Sequence, residues 1–229
     1  MALALAEVGA NVVVTARSAD AIEETANQVR ALGRKAIAVE ADVTVEADLD
    51  RLVERALGEF GRIDVLVNNV GTTARHPAEE FPLDEWNKVM AVNVTSVFSL
   101  TNRVVQSMKR TGGGRIINTA SLLSEIGVAL IPPYAASKGA IRQLTKAWAV
   151  EWAKYNIRVN AIGPGYMRTE MTETLYHDPE RYDRVMRRVA IKRWGTPEDM
   201  KGAVVFLASK ASGYITGQVI YVDGGWLAG

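Results

Sequence analysis

A single α/β domain built on a doubly wound parallel sheet is the fold the sequence predicts, on three observations. Six short runs rich in Val and Ile, without polar alternation, are spread along the chain. Helical patterns alternate with them, several closing on glycine. No linker, repeat or low-complexity tract divides the 229 residues. Strands without alternation are covered on both faces, and repeated strand–helix–strand units imply right-handed crossovers between parallel strands.

The chain opens on MALALAEVG, an Ala- and Leu-rich helical stretch that Gly9 can close. Strands are expected at Asn11–Ala16, Lys35–Glu40, Asp64–Asn68, Gly114–Ala120, Ile157–Ile162 and Gln218–Val222. The helices between them are Ala19–Leu32, Glu46–Phe60, Leu83–Lys109, Pro133–Tyr155 and Pro197–Ala208. Gly33, Gly61 and Gly213 fall at helix ends, and Thr44 or Glu46 begins a helix well. Residues Tyr166–Trp194 break the rhythm: the segment is polar, carries Pro179 and follows a strand end. Open α/β sheets bind ligands beyond the carboxyl ends of their strands, so this insertion is placed to cover a site. The plainer reading is a surface excursion.

Composition removes several classes of function. A formal net charge of +1 gives no reason to expect nucleic acid or an anionic membrane as partner. The absence of cysteine rules out disulfides, zinc thiolates and cysteine nucleophiles. His76 and His177 are the only histidines and stand in no metal-ligand spacing, so no metal is expected. No window approaches the roughly 18 uncharged apolar residues of a membrane span. Met1–Val8 is too short for a secretory core, and the expected location is the cytoplasm.

Tyr134 and Lys138 lie four apart in PPYAASKGAIRQL, on one helix face. A phenol with a pKa near 10 is a poor base at neutral pH. Lowering it by about 3 units takes roughly 4 kcal/mol, which one lysine charge about 4 Å away supplies at an effective dielectric near 20. Of the seven tyrosines only Tyr134 has a lysine four residues on. Alone, the pair also fits an exposed helical contact. Ser121, 13 residues earlier, ends the strand-like run GRIINTAS and places a hydroxyl where strand meets loop. VNNVG at Val67–Gly71 likewise ends a strand with two amides and a glycine. Asn93 sits inside a helical stretch, where asparagine has little intrinsic reason to be; a buried amide and a helix distortion are its two readings.

These residues resemble the short-chain dehydrogenase/reductase family along the whole chain. The matching motifs are NNVG for the family's N-N-A-G, the asparagine of AVNVTSVF, the serine before YAASK, GPGYMRTEMT, RWGTPEDM and YITGQVIYVDGG. The resemblance implies a Rossmann-like fold and a hydride-transfer site. Tyr134 is then the acid/base, Lys138 lowers its pKa and holds the nicotinamide ribose, Ser121 binds the substrate oxygen, and Asn93 holds a water in a relay to Lys138. Asp42 and Val43 flank the adenine, Asn69 and Gly71 line the cofactor, and Pro164, Gly165, Met167 and Thr169 seat the nicotinamide. Arg17, with Ser18 beside it, stands where an acidic residue would bind the ribose diol of NAD. A guanidinium suits a 2′-phosphate, which favours NADP, with NAD second; a solvated Arg17 leaning on adenine is the alternative.

The family's first strand and its T-G-x-x-x-G-x-G turn should precede the MALALAEVG helix, and they are not in the sequence. Gly112-Gly113-Gly114 is no substitute, because it precedes a strand and reads as a turn. In the family's sheet order that strand is central, so its two neighbours are expected to show unpaired edges. Each buried unmet group costs about 1–3 kcal/mol. The favoured expectation is that Met1 is internal to a longer natural chain; a compensated variant and a rearranged fold are the alternatives.

GPGY and VDGGWLA are similar to segments of gluconate 5-dehydrogenase and 2-deoxygluconate 3-dehydrogenase, and also to those of 3-oxoacyl-carrier-protein reductases. A sugar acid is therefore the first substrate reading. A 3-oxoacyl thioester is the second, and a non-catalytic remnant the third. Arg181, Arg184 and Arg188 share a helix face that could attract an anion, or that is merely solvated. The long Ala-rich helices predict a homotetramer, with a homodimer next.

Overall fold

The computed structural model describes residues 1–229, the side chain of Met171 aside. All six expected strands are present, and every strand pair is parallel. Val12–Ala16 (β1) pairs with Ala36–Glu40 (β2), Val12 opposite Ala36. Val65–Asn68 (β3), Gly114–Thr119 (β4), Ile157–Pro164 (β5) and Val219–Val222 (β6) form a second sheet in the order β3-β4-β5-β6. Among the described residues β1 pairs only with β2 and β3 only with β4. That is the division expected for the two strands that flank the family's central one.

Helix Ala2–Glu7 (α1) ties the two sheets together. It packs on Ala19–Ala31 (α2) and on Lys201–Ala208 (α9). Ala4 belongs to a core with Ile117, Ile162, Val204 and Leu207, while Ala6 belongs to one with Ala26, Val29 and Ala36. A helix buried on two sides needs small residues for close approach, which explains its Ala-rich sequence.

On the opposite face lie Glu46–Phe60 (α3), Ser96–Arg110 (α5) and Pro132–Trp152 (α6). The largest core cluster joins α5 and α6 to β4 and β5 through Val104, Met108, Ile116, Ile141, Trp148 and Val159. Leu83–Lys109 is not one helix. Leu83–Met90 (α4) runs into a π turn at Ala91–Thr95 before α5 begins. Gly112 and Gly113 take left-handed φ values of 89° and 125° in the turn into β4, as a turn at that tract requires. The covering segment holds two short helices, Glu173–Tyr176 (α7) and Pro179–Arg188 (α8). No helix is long and apolar enough to cross a membrane among the described residues.

Candidate active site

The site forms beyond the carboxyl ends of β3, β4 and β5. Two prolines start α6, where a missing N–H is harmless, and fix the turn that carries Tyr134. One turn on, Lys138 is 3% exposed, and its Nζ donates to the Thr119 carbonyl at 2.7 Å. That Nζ lies 5.6 Å from the Tyr134 ring centroid. Burial brings the Lys138 ammonium down to about 8. Burial also raises the Tyr134 phenol, and a hydrogen bond with Ser121 only partly offsets this. Burial of the phenol thus acts against the lowering expected from Lys138. The ammonium is directed at Thr119, and desolvation of the phenolate prevails.

Ser121 leaves β4 as the N-cap of a tight turn, Leu122–Ser124. Its Oγ accepts from the Leu123 N–H at 3.2 Å, so its own hydrogen stays available to Tyr134 or to a ligand. Ser124 Oγ accepts from the Ser121 N–H at 3.3 Å and donates to the Lys138 carbonyl at 2.9 Å. The serine loop is therefore fastened to the helical turn that bears the lysine. Both readings of Asn93 hold: it is 1% exposed and sits in the π turn. Its Oδ1 accepts from the Thr72 N–H at 2.8 Å, and its Nδ2 donates to the Thr72 carbonyl at 2.9 Å and to Ser137 Oγ at 3.0 Å. Both amide hydrogens and one lone pair are engaged.

Gly71 adjoins this centre: a Cβ there would stand 3.9 Å from Lys138 Nζ and 4.0 Å from Asn93 Oδ1. Asn69 Oδ1 accepts from Thr119 Oγ1 at 3.0 Å. Pro164 ends β5, and the Gly165 N–H donates to the Val222 carbonyl at 2.9 Å. Met167 is buried against α9, and Thr169 caps the turn Glu170–Thr172. Arg17, Ser18, Asp42 and Val43 lie apart from this centre, at the carboxyl ends of β1 and β2. A cleft of about 410 Å³ there is lined by Arg17, Asp42, Arg51 and Arg55. Hydrogen bonds from Thr44 hold the Asp42 carboxyl below its usual range.

The covering segment folds onto the serine loop. Tyr166, Tyr182, Val185 and Trp194 pack with Leu122, Leu123 and Trp226. Tyr166 lies 4.7 Å from Trp226 and 5.6 Å from Trp194, centroid to centroid.

A family model described as enoyl-(acyl carrier protein) reductase matches residues 1–227. The chain is 45% identical over 231 residues to 2-dehydro-3-deoxy-D-gluconate 5-dehydrogenase of Dickeya dadantii, covering 100% of this chain and 90% of that protein. The chain belongs to the short-chain dehydrogenase/reductase family. This dehydrogenase/reductase is also 42% identical to 5-keto-D-gluconate 5-reductase of Escherichia coli, covering 99% of its own length and 89% of the relative's. A gluconate 5-dehydrogenase from Burkholderia cenocepacia, solved with NADP and tartrate, superposes with a TM-score of 0.95 at 38% identity, covering 100% and 89% of the two chains.

In this short-chain dehydrogenase/reductase several working groups escaped sequence reading. Thr119 contributes a backbone carbonyl, which no side-chain motif announces. Thr72 likewise acts through its backbone. Ser124 and Ser137 stand three residues after Ser121 and Tyr134, and that spacing was a usable signal.

Proposed function

We propose that the protein is an NADP-linked oxidoreductase that interconverts a secondary alcohol and a ketone on a sugar acid of the gluconate type. The observation that carries the reaction is the buried Lys138 one helical turn from Tyr134, beside a serine whose hydroxyl hydrogen is not spent on the backbone. The gluconate-acting relatives support the substrate class over a 3-oxoacyl thioester, and the assembled site argues against a non-catalytic remnant.

The residues present fit a nicotinamide dinucleotide. Lys138 spends one N–H on Thr119 and keeps two donors, which suit a ribose diol. Arg17, with Ser18 adjacent, supplies the positive charge a 2′-phosphate needs. Asp42 and Val43 are assigned to the adenine, Asn69 and Gly71 to the cofactor wall, and Pro164, Gly165, Met167 and Thr169 to the nicotinamide. When bound, the cofactor supplies or accepts the hydride at the carbon centre. In reduction Ser121 donates a hydrogen bond to the carbonyl oxygen, and Tyr134 Oη gives that oxygen its proton. The C=O becomes H–C–O–H, its new C–H bond made from the hydride and its O–H from the phenol proton. Oxidation reverses both transfers. Asn93 fixes the Thr72 loop and keeps one lone pair for a relay water.

Phe98 on α5 and Val150 on α6 are 46% and 83% exposed. They support a homotetramer, with a dimer next; the proposed compartment is the cytoplasm. A monomer by light scattering at micromolar concentration overturns the assembly. The activity test is NADPH and NADH oxidation with 5-ketogluconate and with an acetoacetyl thioester. Turnover of the keto acid with NADPH is expected. Turnover of the thioester alone overturns the substrate class.

A further inference from the structure

The arginines of the covering segment divide into two sets. Arg168 pairs with Glu173, Arg181 with Asp178, and Arg193 with Asp199. Among the described residues Arg184, Arg187 and Arg188 form no such pair, nor does Arg75 in the loop after β3. Arg184 and Arg188 stand four apart on α8, so their side chains leave one face. The Arg188 guanidinium lies 5.0 Å over the Trp226 ring, whose other neighbour is Tyr166 at 4.7 Å. The charges of Arg75, Arg184 and Arg188 all reach the Tyr166 phenol, drawing it back from the upward push of burial.

Three like charges from two chain segments act on this phenol, and none of the three makes an ion pair among the described residues. The nearest acid in the sequence around Trp226 is occupied: Asp223 accepts from the Gly225 and Leu227 N–H groups, at 2.9 Å each. The indole N–H groups of Trp194 and Trp226 also lack a partner among the described residues, although the side chains are only 5% and 6% exposed. The guanidiniums are the donors this wall presents, and it adjoins Leu122 and Leu123 immediately after Ser121. Its complement is an anionic ligand with many oxygens.

Resting on the reading of the substrate as a sugar acid, we propose that Arg184 and Arg188 of α8 bind the substrate carboxylate, with Trp226 as the platform that orients Arg188. The carboxylate then sets which carbon of the sugar chain is presented to Tyr134.

The test is binding of gluconate and of sorbitol, its neutral six-carbon counterpart, followed by intrinsic tryptophan fluorescence in the wild type, R184Q, R188Q and R188K. Kinetics with 5-ketogluconate and the neutral ketose sorbose accompany it. Each glutamine variant should weaken gluconate binding about 10- to 100-fold, the range for one charged hydrogen bond. The KM of the keto acid should rise with kcat little changed, sorbitol and sorbose should be unaffected, and R188K should recover part of the loss. Unchanged gluconate binding in both glutamine variants overturns the clamp, as does equal loss for acid and neutral ligand. A wild type that does not distinguish gluconate from sorbitol overturns the sugar-acid reading itself, and the clamp with it, before any variant is made.

Discussion

Lys138 Nζ reaches the Thr119 carbonyl at 2.7 Å yet stays 5.6 Å from the centroid of the Tyr134 ring. The lysine is anchored to the strand first and faces the tyrosine second. Two titrations in one buried site follow from this, and they move in opposite directions.

Tyr134 should ionise above the usual tyrosine value of about 10 in the free protein. Phenolate absorbance compared between wild type and Tyr134→Phe isolates this group among the seven tyrosines. Ketone reduction needs the phenol and should be flat across neutral pH. Alcohol oxidation needs the phenolate and should climb as pH rises. A Tyr134 ionisation near pH 7 without cofactor would show that Lys138 governs it after all.

Lys138→Met should stabilise the fold at pH 7 while lowering kcat at least 100-fold, within the usual range of about 10²–10⁴ for acid–base groups. The folded-state value of about 8 lies below the 10.5 of an ordinary solvated lysine. Below pH 8 the ammonium is charged in both states, and the full desolvation penalty opposes folding. As pH rises from about 8 toward 10.5 the folded protein loses its proton first and the penalty fades. The variant should gain about 1–3 kcal/mol at pH 7 and nothing above pH 10.5, read by urea unfolding at several pH values. An equal gain or loss at all pH values would contradict the assignment.

The glycines offer a paired comparison. A Cβ on Gly165 would meet Asp223 Cα at 2.6 Å and Asp223 Cβ at 2.9 Å, so Gly165→Ala must part β5 from β6. It should destabilise by about 1–3 kcal/mol and raise the substrate KM, because Tyr166 is the next residue. Gly58 lies inside α3, and a Cβ added there would meet nothing within 4 Å. Gly58→Ala should stabilise by about 0.5–1 kcal/mol and leave turnover alone. Matched unfolding curves for the two variants would remove steric contact as the reason for Gly165.

Periodicity made the sheet and most helices legible, because strands buried on both faces carry Val and Ile without alternation. It failed at Leu83–Lys109: a π turn adds a residue to the helical cycle without breaking the apolar pattern, and only the misplaced Asn93 hinted at it. The catalytic side chains were legible as types at fixed spacings. Their electrostatics were not, since the sign of the Tyr134 shift depends on burial and on where Lys138 points. The tie between the sheets through Ala4 and Ala6 of α1 was also hidden, because it joins segments far apart in sequence.

A ladder of amides and hydroxyls below the site extends this point to stability. Asn68 and Asn118 are register partners on β3 and β4. Asn68 Nδ2 donates to Thr101 Oγ1 at 3.0 Å and to Asn118 Oδ1 at 2.8 Å, and Asn118 Nδ2 donates to Thr145 Oγ1 at 2.9 Å. All four side chains are 5% exposed or less, and they link α5 and α6 through the sheet. Asn118→Ala leaves a donor of Asn68 and an acceptor of Thr145 short of partners, and should destabilise by about 2–4 kcal/mol. Thr145→Val alone should cost less, since it strands one donor on Asn118, whereas Asn118→Ala strands groups on both sides of the ladder. The double variant should be less unstable than the sum of the two, because the second change removes a bond the first has already broken. Strict additivity in urea unfolding would mean that the ladder does not act as a unit, and that α6 is held over β4 by its apolar contacts alone.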